Sequence, residues 1–123
     1  MIGLLQRVRR ASVEVDGKLV AAIARGLLVF IGVERGDSET QAKRLLERLL
    51  AYRVFSDEAG RMNHDLREIR GGLLLVPQFT LPADTRKGNR PSFTPAASPD
   101  EGKRLFKYLC AQAGKLYPET CQG

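Results

Sequence analysis

Four short segments rich in Val, Ile and Leu fill the first 34 residues, and turn signals separate them. These segments are 2–9, 12–16, 18–24 and 27–34. Asp16-Gly17 is typical of a tight hairpin turn, and Arg25-Gly26 marks another turn. Polar and apolar residues alternate in "SVEV" at 12–15, as they do in a half-buried strand. Because consecutive strands joined by tight turns pair antiparallel, this part of the chain predicts a mainly antiparallel sheet or barrel.

Helical patterns follow in two places, and each begins with a capping signal. Ser38 with Gln41 three residues later predicts a capping box. The apolar stripe of this first helix is Ala42, Leu45, Leu46, Leu49 and Leu50. For the second helix, Ser98 is the expected N-cap, with Pro99 at the first helical position and Glu101 at the third. Its expected buried face is Leu105, Phe106, Leu109, Cys110 and Ala113.

Between the two helices the pattern returns to strands. "RVFSDEAGRMN" at 53–63 predicts a strand followed by a turn at 58–60. "LLLV" at 73–76 does not alternate, which indicates a strand covered on both faces. We predict no strand in 117–123, after the second helix. No repeat or linker divides the chain, so the order of elements predicts one α+β domain over 1–123, with a mainly antiparallel sheet or barrel and two helices.

Charge and hydropathy narrow the classes of partner. The net charge of +6 suits a polyanion such as nucleic acid, although many ordinary globular proteins carry as much. The apolar run at 26–33 is far shorter than the roughly 20 residues of a membrane span, so we expect no membrane partner. The start of the chain lacks the apolar core and cleavage site of a signal peptide, which favours the cytoplasm.

The residue types that usually carry metals and cofactors are sparse. His64 is the only histidine and its neighbouring acids show no ligand spacing, so we expect no metal and a solvated His64. Cys110 and Cys121 are too few for a disulfide framework, and Cys110 is expected to pack against the core. Since no glycine-rich phosphate-binding motif is present either, we expect no cofactor.

The candidate site lies in "LLVPQFTLPADTRKGNRPSF" at 74–93. Gln78, Phe79 and Thr80 offer an amide, an aromatic face and a hydroxyl at the end of a buried strand. The alternative is that Phe79 fills the core while Gln78 and Thr80 only cap the strand. A basic loop follows, whose cations could contact phosphate or could simply be solvated. Its cations are Arg86, Lys87 and Arg90.

Five stretches together resemble the D-aminoacyl-tRNA deacylase family. They are "LLQRVRRASVEVDG", "GLLVFIGVERGD", "YRVFSDEAGRMN", "GGLLLVPQFTLPADTRKGNRPSF" and "ASPDEGKRLFKYL". The resemblance covers essentially all of 1–118. Its most specific part is Gln78-Phe79-Thr80-Leu81, followed by Ala83-Asp84-Thr85 and Arg90-Pro91-Ser92-Phe93.

The resemblance implies a cytoplasmic homodimer that hydrolyses the ester joining a D-amino acid to tRNA, and that also removes glycine mischarged on alanine tRNA. Gln78, Phe79 and Thr80 match the catalytic motif of the family, and Arg7 matches an arginine that orients a Gly-Pro dipeptide. In the family this dipeptide enters from the other subunit and excludes L-amino acids. Main-chain groups dominate such a site, and the 2′-hydroxyl of the RNA assists hydrolysis. Pro77, with the three loop cations, completes the expected substrate-binding set.

Two features depart from the family pattern. Pro77 stands where the family has serine, which removes a backbone N–H and a hydroxyl. No proline follows a glycine, so the chain is expected to be truncated before a further strand and the Gly-Pro segment. The expected function is D-aminoacyl-tRNA hydrolysis. The alternatives are a catalytically impaired homologue or fragment that keeps the fold and tRNA binding, and a dimeric scaffold.

Overall fold

The computed structural model describes residues 1–78 and 96–122. In this part of the chain a strand-rich first third leads into two helices with strands between and after them. The strands are β1 Ile2–Val8, β2 Ala11–Val15, β3 Lys18–Ile23, β4 Gly26–Gly32, β5 Phe55–Ser56, β6 Met62–His64, β7 Gly72–Pro77 and β8 Thr120–Gln122. The helices are α1 Glu39–Ala51 and α2 Pro99–Leu116.

The main sheet has four strands in the order β1-β4-β7-β8, and two separate hairpins are formed by β2-β3 and β5-β6. β1 pairs antiparallel with β4, as do the strands within both hairpins. β7 is parallel to β4 because α1 and the second hairpin return the chain to the start of the sheet before it enters β7. The α+β prediction with mainly antiparallel pairing is confirmed, and the described strands form no closed barrel.

The prediction that no strand follows the second helix is wrong. Tyr117 ends α2 in an extended conformation, and Thr120 then starts β8 parallel to β7. The backbone N–H of Leu73 donates to the carbonyl of Glu119 at 3.0 Å, which joins the new strand to the sheet. A pairing of three residues, set by a neighbour far away in sequence, is too short to give a periodic signal.

Both helices pack on one face of the main sheet and bury its apolar side chains. The core cluster takes Leu27, Val29 and Ile31 from β4 and Leu73 and Leu75 from β7. Leu74 is also fully buried, so the prediction that this strand is covered on both faces is confirmed. The helices contribute the buried residues Ala42, Leu46, Leu49, Leu50, Leu105, Phe106, Leu109 and Ala113.

The ends of the helices are fixed as their sequences predict. The Ser38 side chain accepts a hydrogen bond from the first turn of α1, and Gln41 completes the capping box. In α2 the backbone N–H of Glu101 donates to the Ser98 hydroxyl at 3.4 Å. Neither helix is long and apolar enough to span a bilayer, within the residues that the structure describes.

Candidate active site

A cavity of about 500 Å³ opens where β4, β7 and the start of α2 meet. Ile31 and Val33 form the wall at the end of β4, and Pro77 and Gln78 form the floor at the end of β7. The third wall is the beginning of α2, from Ser98 to Phe106. Most of this lining is apolar, so the cavity would favour the apolar part of a ligand.

Strand β7 positions Gln78 at this cavity. Leu73, Leu74 and Leu75 are completely buried, so the strand that precedes the site is held by packing on both faces. At its end the backbone N–H of Gln78 donates to the carbonyl of Ile31 at 2.8 Å. The position of the Gln78 backbone is therefore set by the register between β4 and β7.

Pro77 fits this strand because of the direction in which its missing N–H would point. Gly72 and Gln78 donate their N–H groups on the β4 side, to the carbonyls of Arg25 and Ile31. The N–H of Leu73 donates instead to the chain entering β8. The odd-numbered positions therefore face β8, and Pro77 is one of them. Since β8 extends only from opposite Leu73 to opposite Leu75, the proline removes no hydrogen bond between β7 and β4.

The α2 wall is attached to the end of β4 by backbone contacts. The N–H of Ala97 donates to the carbonyl of Val33 at 2.9 Å, and Glu34 and Ala96 form an isolated β-bridge. Gly102 leaves open space on this wall, because a Cβ atom there would find its nearest neighbour, the Val33 Cβ, only at 4.0 Å. Lys103 lies beside Gly102 in the lining.

Among the described lining residues, those of α2 supply the charge of the cavity. Its N-terminus carries the positive end of the helix dipole, and Lys103 adds a full positive charge. Glu101, in the same turn, is paired with Arg104 at 2.6 Å, and this hydrogen-bonded partner lowers the pKa of the carboxyl group. Among the described lining residues no carboxylate or imidazole is present, and the Lys103 amine is their one ionisable side chain, so most of these residues can only bind and orient a ligand.

The structure places only part of the predicted site together. Pro77 and Gln78 line the cavity. Arg7 does not, because it lies opposite Leu27, which in turn lies opposite Leu73. The distance from Leu73 to Gln78 is roughly 16 Å along β7. The Nη1 atom of Arg7 instead donates to the carbonyl of Val54 at 3.1 Å.

Five further predicted site residues lie outside the described part of the chain. They are Phe79, Thr80, Arg86, Lys87 and Arg90. Conversely, sequence reasoning missed the α2 wall with Gly102 and Lys103. A glycine inside a helix is unfavourable by about 1 kcal/mol relative to alanine, which draws attention to Gly102, but Gly114 in the same helix carries the same signal with open space around it.

His64 and Cys110 lie outside the lining of this cavity. The Nδ1 atom of His64 lies 3.1 Å from Glu68 Oε2 at the surface. No group of three or more potential ligands that could hold a metal ion occurs in residues 1–78 and 96–122.

Cys110 packs partly buried against the core, as predicted, and this burial raises the pKa of its thiol to about 12.

Comparison with known proteins agrees with the arrangement of strands and helices. In solved structures the fold matches the c-Myc DNA unwinding element binding protein, with a TM-score of 0.92 and 31% identity over 98% of this chain and 83% of that one. It also matches a probable eukaryotic D-amino acid tRNA deacylase, with a TM-score of 0.76. That second match has 21% identity and covers 94% of this chain and 68% of the other, so it supports the fold alone.

The curated relatives found by sequence have higher identities to this chain than the two solved structures. The D-aminoacyl-tRNA deacylase of Alkalilimnicola ehrlichii is 67% identical over 113 residues, which are 92% of this chain and 75% of the relative. That of Dichelobacter nodosus is 58% identical over the whole of this chain and 85% of its own length. The family model described as D-Tyr-tRNA(Tyr) deacylase matches residues 4–123. The chain therefore belongs to the D-aminoacyl-tRNA deacylase family.

Proposed function

We propose that this protein hydrolyses the ester bond of D-aminoacyl-tRNA, releasing the amino acid and tRNA, and so removes D-amino acids before they enter translation. Glycine mischarged on alanine tRNA is a second substrate. The observation that carries the proposal is the family match along the chain, combined with a cavity at which Gln78 of the family motif is held. The place of action is the cytoplasm, where aminoacyl-tRNA is used.

In this reaction a water oxygen joins the carbonyl carbon of the ester, and the bond from that carbon to the ribose oxygen breaks. The ribose oxygen takes up a proton. The described lining residues bind and orient the substrate, and the neighbouring 2′-hydroxyl of the ribose assists the water. Gln78, Phe79 and Thr80 orient the aminoacyl group through their main chain and the Gln78 amide. The apolar side chains of Ile31 and Phe106 exclude bulk water.

The tRNA partner is bound by charge as well as by the cavity. The protein carries a net charge of +6, and Lys103 with the N-terminus of α2 makes the cavity wall electropositive. In our proposal Arg86, Lys87 and Arg90 extend this positive region along the phosphates near the 3′ end of the tRNA. Pro77 contacts the substrate through its apolar ring at the cavity floor rather than through a polar group.

A homodimer completes the site. Arg7 lies at the far end of the sheet from Gln78 in the same chain, so a site that uses both residues requires two chains. Four exposed apolar residues of the first three strands supply a surface for such an association. They are Leu4, Val15, Leu19 and Val20. β1 is also an edge strand of the described sheet, with one side free for pairing.

The alternative of a catalytically impaired homologue is not favoured. Relatives that share 55–67% of their residues with this chain are named D-aminoacyl-tRNA deacylases. Pro77, one of the two departures behind that alternative along with the absent Gly-Pro dipeptide, leaves the pairing between β7 and β4 intact.

Hydrolysis of D-tyrosyl-tRNA, with L-tyrosyl-tRNA as the control substrate, tests the proposed function. We expect release of D-tyrosine and little release of L-tyrosine. A Gln78→Ala chain should lose at least about tenfold in kcat/KM, which corresponds to about 1.4 kcal/mol of transition-state stabilisation. Equal rates on both substrates, or none on either, would refute the assignment.

The tRNA footprint is tested by replacing Arg86, Lys87 and Arg90 with glutamine. If three phosphate contacts are lost, the slope of log affinity against log salt should become shallower by about 2. A control variant carries the same change at three exposed cations away from the cavity, which are Lys18, Arg61 and Lys115. The footprint is wrong if both triple variants change the slope equally.

The shared site is tested by mixing two chains of low activity, each of which lacks one residue of the site. Arg7→Ala and Gln78→Ala chains, unfolded and refolded together, should regain about a quarter of the parent activity. This is because half of the dimers are mixed and each mixed dimer holds one intact site. Recovery of no activity, with the dimer shown by its mass in solution, would contradict a site that combines Arg7 and Gln78 from different chains.

A further inference from the structure

The α-ammonium group of Met1 is engaged by two carboxylates from the loop between β4 and α1. Its nitrogen lies 3.0 Å from Glu34 Oε1, and it donates to Asp37 Oδ1 at 2.8 Å. The second oxygen of Asp37 lies at 2.7 Å, so the ammonium bridges both carboxylate oxygens of that residue. The Asp37 side chain is only 8% exposed, and water therefore does little to solvate its charge.

Asp37 also fixes the loop in which it lies. Its Oδ2 atom accepts a hydrogen bond from the backbone N–H of Glu34 at 2.7 Å. Its own backbone N–H donates to the carbonyl of Glu34 at 3.2 Å. The next residue, Ser38, is the N-cap of α1. The ion pair with Met1 thus holds the tight turn that joins the end of β4 to the first helix.

This turn is continuous with the wall of the cavity. Glu34 forms its β-bridge with Ala96, and the carbonyl of Val33 accepts the hydrogen bond from Ala97. Val33, Ala97 and Ser98 all line the cavity. A displacement of the turn would therefore be transmitted through one bridge and one hydrogen bond to the start of α2.

We propose that the ion pair between the free α-amino group of Met1 and Asp37 is a positioning device for the cavity wall, and that blocking this amine by formylation loosens the wall. The expected effect on KM rests on the proposed deacylase function, whereas the expected loosening of the wall does not. A formyl group removes the positive charge and leaves the Asp37 carboxylate buried without its cationic partner. A buried carboxylate in that state is strongly disfavoured, so the turn must open to water.

A pH dependence follows from the same geometry. The charged groups that face the amine are Glu34 and Asp37. Burial alone lowers the pKa of the amine, but the hydrogen bonds and charges of these carboxylates outweigh burial and raise it above the usual value of about 8. A raised pKa in the folded state means that the stabilisation is complete below pH 8. It is lost as the pH rises through the folded-state pKa.

The test compares the same chain with a free and with a formylated Met1. With formylation, hydrogen exchange at the Ala97 N–H should become at least about tenfold faster, because exchange reports opening of its bond to Val33. KM for D-tyrosyl-tRNA should rise by about tenfold while kcat changes less than about threefold, since the wall binds but does not react. In the free-amine chain alone, KM should also rise as the amine loses its proton above pH 8.

Variants at Asp37 break the same ion pair without any modification of the Met1 amine. Asp37→Asn should reproduce both effects, formylation should add nothing to it, and Asp37→Glu should restore part of the loss. Glu58→Gln, at an exposed turn elsewhere, is the control for removing one carboxylate.

The two proposals fail in different ways. A parent chain without deacylase activity would overturn the proposed function, and the Ala97 exchange would still decide the positioning role. Faster exchange in the formylated chain supports that role, whether or not the parent is active. Unchanged exchange overturns it, as does an active parent whose KM is unaffected by formylation.

Discussion

The hydroxyl group of Tyr117 donates a hydrogen bond to the carbonyl oxygen of Gly71, and the carbonyl of Leu66 lies 3.4 Å from the same hydroxyl. Tyr117 is the C-cap of α2, and Gly71 is the residue before β7. The contact therefore joins the end of the helix whose start forms the cavity wall to the beginning of the strand that ends at the cavity floor. Both elements of the candidate site are anchored at their far ends by this one buried side chain.

Tyr117→Phe should lower the free energy of unfolding by about 1 kcal/mol, because the Gly71 carbonyl loses its buried donor. The melting temperature should fall by roughly 4 °C. Below that temperature kcat/KM should be unchanged, since the hydroxyl is remote from the cavity. Tyr52→Phe, at an exposed tyrosine, is the matched control and should change neither quantity. A loss of activity in folded Tyr117→Phe protein would contradict a purely structural anchor.

Substitutions at two glycines of α2 distinguish the effect of filling the cavity on activity from the effect of removing a helical glycine on stability. Gly102 lines the cavity, whereas Gly114 is exposed and has no atom within 4 Å of a Cβ position. Alanine at either position should raise the free energy of unfolding by about 0.5–1 kcal/mol, as expected for removing a glycine from a helix. Leucine at Gly102 should reduce kcat/KM by more than about tenfold, because its side chain occupies substrate volume.

Leucine at Gly114 serves as the control and should leave kcat/KM unchanged. Steady-state deacylation and thermal melts of the four variants provide the comparison. Full activity of Gly102→Leu would show that substrate binds elsewhere.

Local patterns predicted the elements of this fold better than their assembly. The hairpin at Asp16-Gly17 and the helix starts at Ser38 and Ser98 are found as predicted, because turn geometry and capping depend on a few neighbouring residues. The β8 strand at Thr120 was missed, since its pairing depends on an open edge of β7 that no local pattern records.

The candidate site was predictable only in part, for the same reason. Gln78 was predicted from its motif, and it is one of the residues that line the cavity. The sequence did not show that Arg7 lies far from it in one chain, because that separation depends on the register of β1, β4 and β7. Nor did it show that Met1 reaches Asp37, since a bond between a chain terminus and a loop has no periodicity.

Cys110 should be an unreactive thiol. Burial raises its pKa to about 12, so only about one molecule in ten thousand carries the thiolate at pH 8. In a Cys121→Ser chain, which leaves Cys110 as the only thiol, alkylation by iodoacetamide should be at least about a hundredfold slower in the folded protein than in urea. Equal rates in both conditions would show that the α2 face carrying Cys110 opens to solvent.

Pro77→Ser introduces the serine that the family resemblance implies at the start of the motif. The added N–H is on the side of β7 away from β4 and gains no bond to β4, so the free energy of unfolding should fall by less than about 1 kcal/mol. The added hydroxyl lines the cavity floor and should raise kcat/KM for D-tyrosyl-tRNA by about two- to tenfold, the equivalent of one hydrogen bond. Pro118→Ser, an exposed proline after α2, controls for the loss of a proline ring and should leave kcat/KM unchanged. If Pro77→Ser also leaves it unchanged, the serine hydroxyl contributes nothing to the transition state, and the cavity floor works through shape and the Gln78 backbone alone.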